Sequence, residues 1–136
     1  MRQVLLDTNA YVAFKRGMPE AVSIVQMADR IGLASVVLGE LLAGFLGGRQ
    51  EAVNRSELAE FVASSRVLCL QVGERTAEYY AAVFHSLRRK GRPIPTNDLW
   101  IAATALEHGF KLFSFDSHFS AIDGLLVACH PEGFLP

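Results

Sequence analysis

The chain reads as an α/β protein, with three α/β/α layers built on a short, mostly parallel central sheet. Three observations predict this. Short runs dominated by apolar residues recur at 4–6, 67–72, 111–115 and 125–129, as expected for strands buried on both faces. Segments of helical periodicity separate these runs, which favours parallel pairing through helical crossovers. The 136 residues are 51% hydrophobic, enough for one sizeable core, since domains cluster near roughly 100–150 residues.

Taken in order, Val4-Leu5-Leu6 is the first strand. Residues 18–31 place Ala21, Ile24, Val25, Ala28 and Ile31 at helical spacing. Pro19 falls in the first turn, where its missing N–H costs nothing, and Gly32 reads as the stop. Residues 35–46 form an apolar helix ended by Gly47-Gly48, and residues 51–63 a more polar one. The second strand candidate is 67–72, followed by a long helix over 74–90 that Gly91-Arg92-Pro93 ends. Residues 96–108 form a helix with Thr96 as N-cap and Gly109 in the C′ position. Residues 111–115 and 125–129 complete the sheet. No repeat, low-complexity tract or linker interrupts the chain, so a single domain over 1–136 is expected.

Charge and composition exclude several classes. Charged residues make up 20% and mean hydropathy is +0.25, which rules out a disordered or collagen-like chain. The 13 basic and 14 acidic residues leave a net charge of −1, with no bulk basic signature of nucleic-acid binding. Cys69 and Cys129 stand far apart in apolar runs and read as two buried thiols in a reducing compartment. The N-terminal apolar run meets Asp7 too soon for a signal peptide, and no stretch reaches the ~18 apolar residues of a membrane span. A soluble, cytoplasmic protein without membrane contact is expected.

Four carboxylates stand in apolar surroundings. Asp7 directly follows Val4-Leu5-Leu6, and Asp116 follows Leu112-Phe113-Ser114-Phe115. Both therefore lie beyond strand carboxyl ends, where open α/β sheets bind ligands. Asp98 opens a helix that continues Leu99-Trp100-Ile101-Ala102-Ala103, and Glu40 interrupts Val36-Val37-Leu38-Gly39 and Leu41-Leu42-Ala43. Each alone has a plain explanation, such as a helix cap or a dipole partner. Together they have few compensating cations nearby, the closest in sequence to Asp7, Glu40 and Asp98 being Arg2, Lys15, Arg30, Arg49 and Arg92. If they converge, repulsion requires a counter-cation. Oxygen donors with no His or Cys clustered beside them in sequence select hard ions such as Mg²⁺ or Mn²⁺. Thr8, Asn9, Thr96 and Ser114 flank the carboxylates and are candidates to orient them.

The segments Leu5-Leu6-Asp7-Thr8-Asn9-Ala10, Gly39-Glu40-Leu41-Leu42-Ala43-Gly44, Asn97-Asp98-Leu99-Trp100-Ile101-Ala102-Ala103-Thr104-Ala105 and Ser114-Phe115-Asp116-Ser117-His118-Phe119, with Ile122-Asp123-Gly124-Leu125, follow one another in this order. In order and spacing they resemble the acidic motifs of PIN-domain nucleases, nearest to the VapC-like toxins of toxin–antitoxin pairs. The resemblance spans essentially the whole chain. It implies a PIN-like fold and a metal-dependent endoribonuclease in which Asp7, Glu40, Asp98 and Asp116 hold one or two Mg²⁺ or Mn²⁺ ions. It also implies an RNA substrate, a small cognate antitoxin, a homodimer, and DNA contact only through the antitoxin. Ser114 stands where many members carry Thr, which keeps the hydroxyl. His118 stands where some carry a further Asp, so a fifth acidic ligand is in doubt.

Arg88-Arg89-Lys90-Gly91-Arg92 is the densest cationic run. It suits a helix C-terminus and, because it leads into the Asp98 segment, Arg88, Arg89, Lys90 and Arg92 are candidate phosphate contacts, as is His118. Phe45, Tyr79, Tyr80, Phe84 and Trp100 read as core or interface rather than base-stacking residues. Competing chemistries fit less well. A haloacid-dehalogenase-type phosphatase needs a second Asp where Asn9 stands, and a nucleotide fold needs glycines absent from Thr8-Asn9-Ala10-Tyr11. No nucleophile elbow is present. A catalytically weak PIN-like binding module, or a PIN nuclease of RNA processing rather than a toxin, stays open as the alternative. Setting the four carboxylates aside leaves 10 acidic against 13 basic residues, a mildly cationic body compatible with RNA.

Overall fold

The structure, a computed structural model, describes residues 1–135. Its elements are β1 (Gln3–Leu6), α1 (Thr8–Lys15), α2 (Pro19–Met27), β2 (Arg30–Ala34), α3 (Ser35–Leu46), α4 (Glu51–Val62), β3 (Val67–Leu70), α5 (Glu74–Arg89), α6 (Thr96–His108), β4 (Lys111–Phe113) and β5 (Val127–Ala128). Two 3₁₀ turns, Ser117–Ala121 and Pro131–Phe134, complete them. The five strands form one sheet in the order β3-β2-β1-β4-β5, parallel at every pairing.

Burial explains why β1 is central. Val4, Leu5 and Leu6 are all buried, so both faces of the strand must be covered by helices. In register, Leu5 pairs with Gly32 on β2 and with Leu112 on β4. The chain runs outward through β2 and β3, then returns to the other side of β1 with β4. Strand order thus reverses between β1 and β4, and a crevice opens at their carboxyl ends.

The structure corrects the sequence reading at several places. Residues 18–31 are not one helix. α2 stops at Met27, and Arg30–Ala34 is the second strand of the sheet. Ile31 suits either pattern locally, but the N–H groups of Asp29 and Arg30 both bond to the Arg2 carbonyl, at 2.9 and 3.1 Å, drawing the segment alongside β1. Arg66, more than a helix away in sequence, bonds the Val25 carbonyl at 3.0 Å and also the Ala28 carbonyl, satisfying groups at the end of α2 that lack helical partners. Gly32 is therefore no helix stop. A Cβ there would meet Leu70 Cδ1 at 2.9 Å and both Leu5 Cδ1 and Phe110 Cε2 at 3.0 Å, so a close approach of side chains requires glycine.

α1 adds a helix that the sequence left unassigned, started by Asp7 as its cap. On α6 the cap position belongs to Pro95, with Thr96 the first helical residue. Gly109 closes α6 in the left-handed conformation, φ 70°, as its expected C′ role demands. The strands are shorter than the apolar runs that predicted them, β4 ending at Phe113 and β5 covering only Val127–Ala128. The thiols also differ from expectation: Cys69 is exposed and Cys129 half-buried, because β3 is an edge strand and β5 a short one. Among the described residues no helix is long and apolar enough to cross a membrane.

Candidate active site

All four carboxylates reach the crevice beyond β1 and β4. Asp7 leaves the end of β1 with its N–H bonded to the Phe113 carbonyl at 3.0 Å, continuing the ladder by one residue. Its two oxygens are both engaged: Oδ1 accepts from the Thr8 N–H at 2.8 Å and Oδ2 from the Ser114 hydroxyl at 2.6 Å. The plain role as a helix cap and a role in the site thus coexist in one side chain. Asp7 is only 5% exposed.

Ser114 links the two strand ends. Besides donating to Asp7, its Oγ accepts the Asp116 N–H at 3.0 Å. Asp116 in turn caps the 3₁₀ turn, its Oδ1 accepting the His118 N–H at 2.9 Å. Glu40 projects from α3 and is held by two donors. The Thr8 hydroxyl reaches Oε1 at 2.6 Å and the Asn97 amide reaches Oε2 at 3.2 Å. Asp98 projects from the first turn of α6. The Asn9 side chain accepts the Phe115 N–H at 3.3 Å and so fixes the loop after β4.

Of the residues expected to orient the carboxylates, Asn9 bonds the Phe115 N–H, whereas Thr8 and Ser114 bond Glu40 and Asp7 directly. Thr96 does not. It is exposed at the start of α6, and Asn97, which the sequence did not single out for this role, reaches Glu40 instead. The available signal was Asn97 beside Asp98 at the head of an otherwise apolar helix.

The electrostatics are those of crowded like charges. Burial pushes the Asp7 pKa above the ordinary carboxylate range against its hydrogen bonds from Ser114 and Thr8, with the Asp98 and Glu40 charges adding to the rise. Burial also raises the pKa of Asp98, opposed by its bond to His118 and reinforced by Asp116 and Glu40. Among the described residues no Lys or Arg forms an ion pair with any of the four. The cationic candidate among the described residues is His118, whose Nδ1 lies 2.7 Å from Asp98 Oδ2 and 3.1 Å from Asp116 Oδ1. This corrects the oxygen-only picture drawn from sequence spacing, since a histidine does stand in the cluster. Such a donor set fits a divalent cation: one donor atom each from Asp98, Asp116 and His118 lie within 4.8 Å of one another.

The basic run is divided by the structure. Arg88, Arg89 and Arg92 are exposed. Lys90 is also exposed, but its Nζ bonds Asp123 Oδ1 and the Ala121 carbonyl, each at 2.7 Å. It ties α5 to the segment after the 3₁₀ turn rather than standing free for phosphate. Among the aromatics, Phe45 and Tyr80 pack against the core, while Phe84 is exposed. Tyr80 stacks on Trp100 with ring centroids 4.1 Å apart, and Phe84 lies 6.2 Å from Tyr80.

The model of the PIN domain matches residues 4–125, which takes in all four carboxylates. The chain belongs to the PIN-domain family. Among relatives of this PIN domain, ribonuclease VapC5 of Mycobacterium tuberculosis is 29% identical over 120 residues, covering 88% of this chain and 87% of that one. Ribonuclease VapC1 of Haemophilus influenzae is 32% identical over 108 residues, covering 75% and 78%. Among solved structures, VapBC2 from Rickettsia felis bound to a DNA fragment from its promoter superposes with a TM-score of 0.83 at 26% identity, covering 93% of this chain and 97% of that one. The PIN domain here therefore has the fold that the order and spacing of its acidic motifs implied.

Proposed function

We propose that this PIN domain is a divalent-metal-dependent endoribonuclease and the toxin of a toxin–antitoxin pair, with Asp7, Glu40, Asp98 and Asp116 holding Mg²⁺ or Mn²⁺. One observation carries the reading: four carboxylates from separate elements converge at the β1/β4 crevice, and among the described residues no Lys or Arg is paired to them. A cation held there by Asp7, Glu40, Asp98 and Asp116 would lower the pKa of a water and offset negative charge on the scissile phosphate.

The chain's own residues do the rest. Ser114 and the Thr8 N–H hold Asp7 in one orientation, and Thr8 with Asn97 fixes Glu40. Anchored oxygens keep their geometry when the site is loaded, which is how outer partners tune a metal centre. A cleft of about 450 Å³, lined in part by Ser114, Phe115, Asp116 and Leu125, opens beside Asp116. To Arg88, Arg89 and Arg92, all exposed, we assign contact with RNA phosphates. The reaction is hydrolysis of a phosphodiester by in-line attack of water, without a covalent enzyme intermediate.

The relatives named ribonucleases support the RNA substrate. The VapBC assemblies among the structural neighbours support a small antitoxin partner, through which any DNA contact would run. We also place the protein in the cytoplasm, as a single domain that pairs with a second copy of itself. The deciding experiment incubates total RNA with the purified protein and maps the new ends. Cleavage with Mg²⁺ or Mn²⁺ that stops with chelator and is lost in Asp98→Asn supports the proposal; undiminished cleavage by Asp98→Asn overturns it.

A further inference from the structure

His118 is the one residue of the cluster that the metal-dependent reading does not use. Its place is tightly defined. The 3₁₀ turn begins at Ser117, the His118 N–H is held by Asp116 Oδ1 at 2.9 Å, and the next residue, Phe119, is buried in the core. The backbone is thereby pinned on both sides of the imidazole. The ring itself is accessible, 45% exposed, with Nδ1 turned onto Asp98 and Asp116.

We propose that His118 is a direct ligand of the bound cation through Nδ1, making the centre a mixed nitrogen–oxygen site that favours Mn²⁺ and later first-row ions over Mg²⁺. The inference rests on the metal-dependent reading of the same site. Its geometric basis is the spacing of donors. Adjacent ligands of an octahedral ion with bonds of about 2.1 Å lie about 3.0 Å apart. Nδ1 stands 2.7 Å from Asp98 Oδ2 and 3.1 Å from Asp116 Oδ1, the edge lengths of such an octahedron. All three donors lie within 4.8 Å of one another, so one ion can reach them together. A lone pair that accepts a proton to bridge the two carboxylates is equally placed to bond an ion between them.

The consequence is chemical selectivity. Mg²⁺ takes oxygen donors and parts reluctantly with water, whereas imidazole suits transition ions, whose affinities rise from Mn²⁺ to Cu²⁺. Replacing one oxygen by an uncharged nitrogen also lowers the negative charge of the donor set. A structural alternative assigns His118 only a hydrogen bond to Asp98, as a resident counter-charge. The two differ in sign: a ligand lost weakens metal binding, while a competing counter-charge lost tightens it.

The test uses the full chain, stripped with chelator and titrated with MnCl₂ or MgCl₂, for wild type, His118→Ala, His118→Gln and Asp98→Asn. Electron paramagnetic resonance counts bound Mn²⁺, and electron-spin-echo modulation reports whether a nitrogen is bonded to it. The expected result is ¹⁴N modulation in wild type that both His118 variants lose. Mn²⁺ affinity should fall about 10–100-fold in His118→Ala, with Mg²⁺ affinity changed much less. His118→Gln retains a hydrogen-bonding group, so its loss of Mn²⁺ affinity separates ligation from positioning. Mn²⁺ binding that depends on Asp98 but shows no nitrogen, or is unchanged or tighter in His118→Ala, overturns the role of His118 alone. Absence of Asp98-dependent Mn²⁺ binding overturns the metal reading and this inference together.

Discussion

The Ser114 hydroxyl donates to Asp7 Oδ2 at 2.6 Å across a sequence separation of 107 residues. Through the same oxygen it accepts the Asp116 N–H at 3.0 Å, so one buried atom couples the carboxylates at the ends of β1 and β4. Ser114→Ala leaves a buried Asp7 oxygen short of a donor. We expect a cost of about 1–3 kcal/mol in stability and a 10–100-fold loss of metal affinity or cleavage. Ser114→Thr, which keeps the hydroxyl, should restore most of both. Denaturant melts and Mn²⁺ titration of the two variants check this.

The raised pKa of Asp7 makes the stability of the metal-stripped protein pH-dependent. The folded chain binds that proton more tightly than the unfolded chain does. Stability from this group is therefore greatest below the unfolded carboxylate pKa and is lost as pH rises through the folded value. Asp98 and His118, both also raised, act in the same direction. In chelator, the Tm difference between Asp7→Asn and wild type should grow from mildly acidic to neutral pH, with the variant the more stable at neutrality. Saturating Mn²⁺ should raise the wild-type Tm and reverse that order. Calorimetry with and without Mn²⁺ measures both, and a pH-independent difference would refute the assignment.

Gly32 packs against Leu5, Leu70 and Phe110 with no room for a methyl group. Gly32→Ala should cost about 1–3 kcal/mol through overpacking, while Gly39→Ala on α3, where a Cβ meets nothing within 4 Å, should stabilise by up to about 1 kcal/mol. Urea unfolding of the pair provides the contrast.

Exposed Arg88 and Arg92 differ from Lys90, which is bound to Asp123 and the Ala121 carbonyl. If the arginines touch phosphate, neutralising both should flatten the log–log dependence of RNA affinity on salt by about 1.4, at roughly 0.7 per contact on a single strand. Lys90→Gln should leave that slope unchanged. Binding titrations with Asp98→Asn as background avoid cleavage during the measurement.

The strand–helix alternation was legible because apolar runs and helical periodicity are local properties. Residues 35–46, 51–63, 74–90 and 96–108 form helices within a residue or two of the expected bounds. β2 was not legible. Ala28 and Ile31 continue the period of α2, and only pairing with β1 and β3, with Gly32 in close contact, outweighs that local preference.

The site divides the same way. Each of Asp7, Glu40, Asp98 and Asp116 was conspicuous in sequence because a carboxylate in an apolar setting is unfavourable unless something compensates it. Thr8 and Ser114 beside them were legible too, as sequence neighbours of Asp7 and Asp116, but the groups brought in from other segments were not. Asn97 rather than Thr96 reaching Glu40, Lys90 committed to Asp123, and His118 lodged between Asp98 and Asp116 are all set by tertiary packing. The sequence by itself determined the α/β class, the bounds of α3 to α6 and the four acidic positions, since these follow from patterning over a few residues. Tertiary structure alone decided that these positions share one crevice and that a nitrogen joins their oxygens. Both depend on contacts between segments that are close only after β1 and β4 have paired.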